Sequence, residues 1–265
     1  MYLQHFGLKH YPFESNIPPD EMYVSDSMAE LSTRLEHLIE LRGIGLLTGD
    51  SGAGKSAGCR KMVAGLHTGL FKPVYVPLST GNPMDVYKSI AWELGLPTER
   101  NRAALYRRIR EEVTRLVVDA KIQPVLVVDE AHHLRNDVIE ELRLLTNYAM
   151  DSENRLCLLL AGQTELRRRL TMAVHEALNQ RIVVRYHLTP LTREELGAYI
   201  QHLLQRAGTE LPLFEPAAKE AIFQATKGLP RKVNLLAHHA LLAAALDKAK
   251  AISEEHVHKA HPEVS

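Results

Sequence analysis

The chain predicts an α/β fold: a parallel five-stranded sheet with helices on both faces, joined to a small all-helical C-terminal lid. Three observations lead there. Short apolar runs alternate with amphipathic stretches as far as residue 189. Gly49-Asp50-Ser51-Gly52-Ala53-Gly54-Lys55-Ser56 links the first of those runs to a helical stretch. Beyond Pro190, helical patterns follow one another with no strand between them. Strand–helix alternation requires crossover connections, and these suit a mostly parallel sheet covered on both sides.

Taken in order, the chain opens with a leading segment and an amphipathic helix from Ser27 to about Arg42. Candidate strands follow at 44–48, 74–77, 125–129, 156–161 and 182–188. The helical period falls at 55–69, 84–95, 102–119, 136–150, 164–170 and 174–180, where apolar residues recur at three- and four-residue spacing. The last helices read 192–207, 215–227 and 231–248. Domain boundaries are accordingly expected at 1–42 for the leading segment and helix, 43–189 for the α/β core and 190–265 for the helical lid.

Residues 49–56 form a complete G-x-x-x-x-G-K-S phosphate loop in the strand–loop–helix setting that such a loop needs. Its glycines let successive N–H groups and the next helix's N-terminus face phosphates. Lys55 is then placed to reach the β/γ-phosphates and Ser56 to ligate Mg²⁺. Gly49, Asp50, Ser51, Gly52, Ala53, Gly54, Lys55, Ser56 and Ala57 are the expected nucleotide-binding positions. Downstream, Val125-Leu126-Val127-Val128 runs into Asp129-Glu130. Four consecutive apolar residues fit a strand buried on both faces, and ligands bind at the carboxyl ends of such strands. Asp129 is expected to join Ser56 in holding Mg²⁺, and Glu130 to polarise the attacking water. ATP and Mg²⁺ are thus the expected cofactors.

Composition limits the rest. The 265 residues suffice for a substantial core, and 45% hydrophobic with 24% charged residues is ordinary globular usage. No apolar run approaches a membrane span and the N-terminus lacks a signal-peptide pattern, so a cytoplasmic protein without membrane contact is expected. Cys59 and Cys157 are expected to be buried thiols. A formal net charge of zero gives no wholesale attraction to nucleic acid. Local basic patches remain at Arg100, Arg102, Arg107, Arg108 and Arg110, and at Arg167-Arg168-Arg169, although solvated helix faces have the same composition. His132-His133, like His238-His239, is expected to be a poor metal site because adjacent residues do not share a helix face.

Five stretches together resemble the AAA+ ATPases, in the branch of the secretion ATPase ExeA and the transposition regulators TniB, TnsC and MuB. They are Tyr2…His5-Phe6-Gly7-Leu8…Pro12-Phe13, the loop at 49–56, Asp129-Glu130-Ala131-His132, Leu159-Leu160-Ala161-Gly162-Gln163, and Gly228-Leu229-Pro230-Arg231…Asn234. The resemblance implies that Gln163 is a sensor between the γ-phosphate and Glu130, and that Arg231 is a second sensor tied to lid position. It further implies that Arg181, with Arg185 in reserve, is a finger acting on a neighbouring subunit's nucleotide. A cation at a helix C-terminus is equally a favourable dipole partner, so Arg181 has a structural reading as well.

Two functions are consistent with this resemblance. The main expectation is an ATP-dependent regulator that assembles as a ring or filament, hexameric or helical, on double-stranded DNA without sequence preference and recruits a transposase. Its DNA-binding positions would be Ser79, Thr80, Asn82, Lys88, Thr98, Arg100 and Arg102, although Ser79–Asn82 also read as an ordinary loop. The alternative is an ExeA-like secretion ATPase or another non-DNA NTPase. The end of the chain at Ser265, without the transmembrane and peptidoglycan-binding regions of ExeA, favours DNA at this stage.

Overall fold

The computed structural model describes residues 2–77 and 82–263. Their internal contacts separate two compact units: Glu30–Gly49 with Lys55–Leu188, and Met1–Ala29 with Asp50–Gly54 and Thr189–Ser265. Helices α1 (Tyr2–Phe6) and α2 (Asp26–Leu41) precede strand β1 (Ile44–Gly49), and α3 (Lys55–Gly65) follows it. Then come β2 (Phe71–Pro77), α4 (Pro83–Leu94), α5 (Arg102–Val118), β3 (Gln123–Asp129) and α6 (Asn136–Leu145). The α/β region closes with β4 (Cys157–Gly162), α7 (Thr164–Leu170), α8 (Glu176–Arg181) and β5 (Ile182–Leu188). Helices α9 (Arg193–Arg206), α10 (Pro216–Thr226), α11 (Pro230–Leu246) and α12 (Glu254–Ala260) complete the chain.

The five strands lie in the order β2-β3-β4-β1-β5, and every pairing is parallel. The α/β fold expected from the sequence is therefore the fold observed. Every residue of β1, β3 and β4 is buried, whereas the edge strands β2 and β5 are only partly covered. That difference explains the apolar runs: a central parallel strand has no solvent face to hold polar residues. Leu46, Leu126, Val128, Leu158 and Leu160 pack with Ile90, Leu105, Ile109 and Leu142 from the helices. Each such side chain contributes about 1.5–3 kcal/mol on burial, which fixes the strand ends that bear the site. Strand order also sets neighbours: β4 lies between β1 and β3, so Gln163, just past β4, follows the strand between those that end at Gly49 and Asp129.

Local chemistry explains where the helices begin and stop. Asn82 caps α4 by accepting the Asp85 N–H at 3.0 Å, and Asn101 caps α5 by accepting from Ala103 and Ala104. Helix α6 ends at Leu145, short of the expected 150. Ala149, Met150 and Asp151 all take left-handed conformations, with φ between 47° and 68°, which no α-helix accommodates.

In the other unit, Tyr2, Phe6, Leu8 and Phe13 share one apolar core with Leu196, Ile200, Leu203, Phe214, Leu236 and Leu241. The N-terminal aromatic signature is thus packing material for the C-terminal helices. Tyr2 Oη lies 2.9 Å from His238 Nδ1, and Arg206 pairs with Glu14 at 3.0 Å and Glu21 at 2.6 Å. Cys59 and Cys157 are free and buried, as expected. Among the described residues no helix is long and apolar enough to cross a membrane.

Candidate nucleotide site

The phosphate loop occupies the turn from β1 into α3. Gly52 and Gly54 have φ of 82° and 107°, a region that side-chain-bearing residues avoid. Gly52 meets a second requirement: a Cβ there would lie 2.8 Å from Arg231 Cβ, and the Arg231 N–H donates to Gly52 O at 3.3 Å. Arg231 thus touches the loop through its backbone and Cβ, with its side chain exposed. Lys55 opens α3 and is only 6% exposed. Its Nζ donates to Gly49 O at 2.9 Å, holding the ammonium across the loop it is expected to serve.

Ser56 and Asp129 meet at the strand ends. Ser56 Oγ donates to Asp129 Oδ2 at 2.6 Å, the Glu130 N–H donates to Oδ1 at 2.8 Å, and Tyr75 Oη donates to Oδ2 at 3.1 Å. Three donors fix one buried carboxylate. A hydroxyl and a carboxylate oxygen this close suit a hard cation, and a glycine-bearing loop that opens a helix suits a phosphate chain. The residues therefore fit Mg²⁺ and a nucleotide. Tyr75 was missed by the sequence reading; an aromatic on a partly exposed edge strand gives no local sign of a partner on β3.

Glu130 leaves β3 in a left-handed conformation, φ 52°, with its side chain about half exposed. The next turn, Ala131–His133, is a single 3₁₀ turn. His132 Nδ1 accepts the Gln163 N–H at 3.3 Å and lies 3.5 Å from Glu130 Oε2. Burial, reinforced by the charge of His133, holds the His132 imidazole below its ordinary pKa, hence neutral at pH 7. A Cβ on Gly162 would lie 2.9 Å from Leu166 Cδ2 and 3.1 Å from the His132 backbone N. Glycine before Gln163 is what lets the two segments touch. Arg169 fastens the same turn from α7, donating to His132 O and Leu134 O at 2.6 Å each and to Asn136 Oδ1 at 3.0 Å. Gly162→Ala is therefore expected to destabilise the protein by about 1–3 kcal/mol, as overpacking against backbone does, measured by denaturant unfolding. An unchanged midpoint would mean the turn yields freely.

Arg181 ends α8 with Nη2 2.6 Å from Asp151 Oδ1, on the left-handed Ala149–Asp151 bend. Its Nη1 is buried with no partner among the described residues. Asp151 is half exposed, so the pair is worth about 1 kcal/mol at most, too little to hold Arg181 against a phosphate. Arg185 differs: it donates to Ile182 O at 2.8 Å and to Asn179 Oδ1 at 2.9 Å, closing the end of α8.

The residues expected to meet DNA are described only in part. Ser79 and Thr80 lie outside the described residues. Asn82 is spent on its cap, and Arg102 pairs with Glu141 at 3.1 Å. Lys88, Thr98 and Arg100 are exposed. Arg108 pairs with Glu99 at 2.7 Å, while Arg110 stacks 4.1 Å over Tyr148 and donates to Asn147 O. In the three-arginine run, Arg169 makes the contacts above and Arg168 lies 3.7 Å from Glu165.

Residues 38–170 match the AAA domain family. General secretion pathway protein A of Aeromonas hydrophila is 35% identical over 247 residues, which is 92% of this chain and 45% of that protein. The chain thus spans less than half the length of this curated relative. Among solved structures, Cdc6p of Pyrobaculum aerophilum superposes with a TM-score of 0.75 at 18% identity, covering 96% of this chain and 70% of its own. The RuvB Holliday junction branch migration motor of Thermotoga maritima gives 0.62 at 20% identity, covering 95% and 73%. At these identities the two structures show the fold alone.

Proposed function

Because the chain belongs to the AAA-domain family of ATPases, we propose that it binds ATP with Mg²⁺, hydrolyses it, and forms the ATPase module of a secretion-pathway protein similar to General secretion pathway protein A. The observation that carries the chemistry is the hydroxyl–carboxylate pair of Ser56 and Asp129, fixed by Tyr75. Ser56 and Asp129 hold the cation, and Gly49–Ala57 present backbone N–H groups and the Lys55 ammonium to the phosphates. When bound, Mg²⁺ neutralises charge on the phosphate oxygens. Glu130, exposed beyond the fixed aspartate, orients and polarises water, with Gln163 beside it. Arg181 supplies positive charge to a neighbouring subunit, which makes the working form a homo-oligomer.

The secretion reading ranks above the DNA-assembling regulator for two reasons. Sequence relationship along most of the chain is to a secretion-pathway protein, and of the basic positions singled out for DNA, Arg102 is paired with Glu141. Since the chain spans under half of that relative, its end at Ser265 carries no weight for either reading. The test is Mg²⁺-dependent ATP turnover with and without duplex DNA. Turnover indifferent to DNA is expected; stimulation by unrelated duplexes, with filaments or rings in electron micrographs, would restore the regulator and its transposase partner.

Arg181→Ala is expected to bind nucleotide normally and lose about 10³-fold in turnover. Mixing it with Lys55→Ala protein should recover part of the activity, since each defect then falls on a different subunit of a shared interface. No recovery between folded, assembling variants would assign Arg181 to its own subunit.

A further inference from the structure

Adjacent histidines point apart on an α-helix, which is why His132-His133 looked unpromising for a metal. The structure overturns that argument. The pair lies on a 3₁₀ turn entered from the left-handed Glu130, and its rings come together with centroids 4.0 Å apart. Glu130, His132 and His133 each offer a ligand atom within 4.8 Å of the others, the one such His/Cys/Asp/Glu group found among the described residues. Asp129 is not part of it.

We propose that Glu130, His132 and His133 form a binding site for a zinc-class divalent ion, distinct from the Ser56–Asp129 position, and that its occupation withdraws Glu130 from water and stops hydrolysis. Geometry supports this first. Zinc–ligand bonds of roughly 2.0–2.1 Å at a tetrahedral angle separate ligand atoms by about 3.4 Å. His132 Nδ1 and Glu130 Oε2 are 3.5 Å apart. Protonation state supports it next: Nδ1 accepts the Gln163 N–H, so it carries a lone pair and not a proton. That contact, at 3.3 Å, is long enough to be exchanged for a metal bond. His132 is held in place by burial and by Arg169 on its carbonyl, while Glu130 and His133 are exposed and free to close on an ion.

Ligand type separates the two cations. Mg²⁺ selects oxygen donors in octahedral geometry, which Ser56 and Asp129 offer; two imidazole nitrogens with one carboxylate favour zinc and its neighbours, leaving a fourth position for water. The inhibitory half of the proposal rests on the reading that Glu130 orients water; the binding half does not.

The experiment compares wild type, His133→Ala and Glu130→Gln, all at exposed positions and checked by thermal melting. Zinc binding is measured on nucleotide-free protein by competition with a chromophoric zinc indicator. Wild type is expected to hold one zinc equivalent more than either variant, or to hold it at least about tenfold more tightly, since loss of even an outer-shell partner has that effect. Turnover is then measured in excess Mg²⁺ with free zinc set by a metal buffer. Zinc should stop wild-type turnover without displacing a fluorescent ATP analogue, whereas His133→Ala should turn over normally and ignore it. Equal zinc stoichiometry and affinity in all three proteins would overturn the site. Zinc bound here with turnover intact would leave the site standing and overturn the water-orienting role of Glu130.

Discussion

Lys55→Ala is expected to lose ATP binding by between roughly 10² and 10⁴-fold while leaving the fold intact. The ammonium is buried against the loop and directed by its bond to Gly49 O, so it meets phosphate already oriented. Two charge-assisted hydrogen bonds at about 1.5–3 kcal/mol each give that range. Removal takes away the bond to the Gly49 carbonyl, a minor loss beside the packed core of the strands. Titration with a fluorescent ATP analogue, set beside a thermal melt, separates the two effects. Affinity within threefold of wild type would show that the backbone of the loop holds the phosphates unaided.

The second large effect is expected at Glu130. Glu130→Gln keeps the shape and exposure of the side chain but removes the carboxylate proposed to polarise water, so turnover should fall by about 10²–10³-fold with ATP affinity preserved. The substitution does not touch the hydrogen bonds of Asp129, because the donor there is the Glu130 backbone N–H. Single-turnover hydrolysis is the decisive measurement, since it isolates the chemical step from product release. Turnover near the wild-type value would move the base elsewhere.

A contrast runs through these predictions. Lys55, Ser56, Asp129 and Glu130 were legible in the sequence because each belongs to a short contiguous pattern whose spacing is the chemistry itself. The parallel sheet was legible for a similar reason: central strands have no solvent face, so Leu46-Leu47, Val125–Val128 and Leu158–Leu160 appear as unbroken apolar runs. Helix ends were less so. A stop such as Leu145 depends on the left-handed bend at Ala149–Asp151, which carries no glycine to announce it.

What the sequence determined by itself, then, is the fold class, the phosphate loop and the acidic pair, all carried by residues within a few positions of one another. Tertiary structure alone decided which distant side chains complete them. Strand pairing brings Tyr75 to Asp129, the order β3-β4-β1 sets His132 against Gln163, and α7 turns Arg169 back onto the same carbonyls. It also paired Arg102 with Glu141 and sent Tyr2, Phe6 and Phe13 into a core with helices at the far end of the chain. Periodicity says which face of an element is apolar, but not what will cover it; that is settled only when burial and hydrogen-bond satisfaction are met by the whole chain at once.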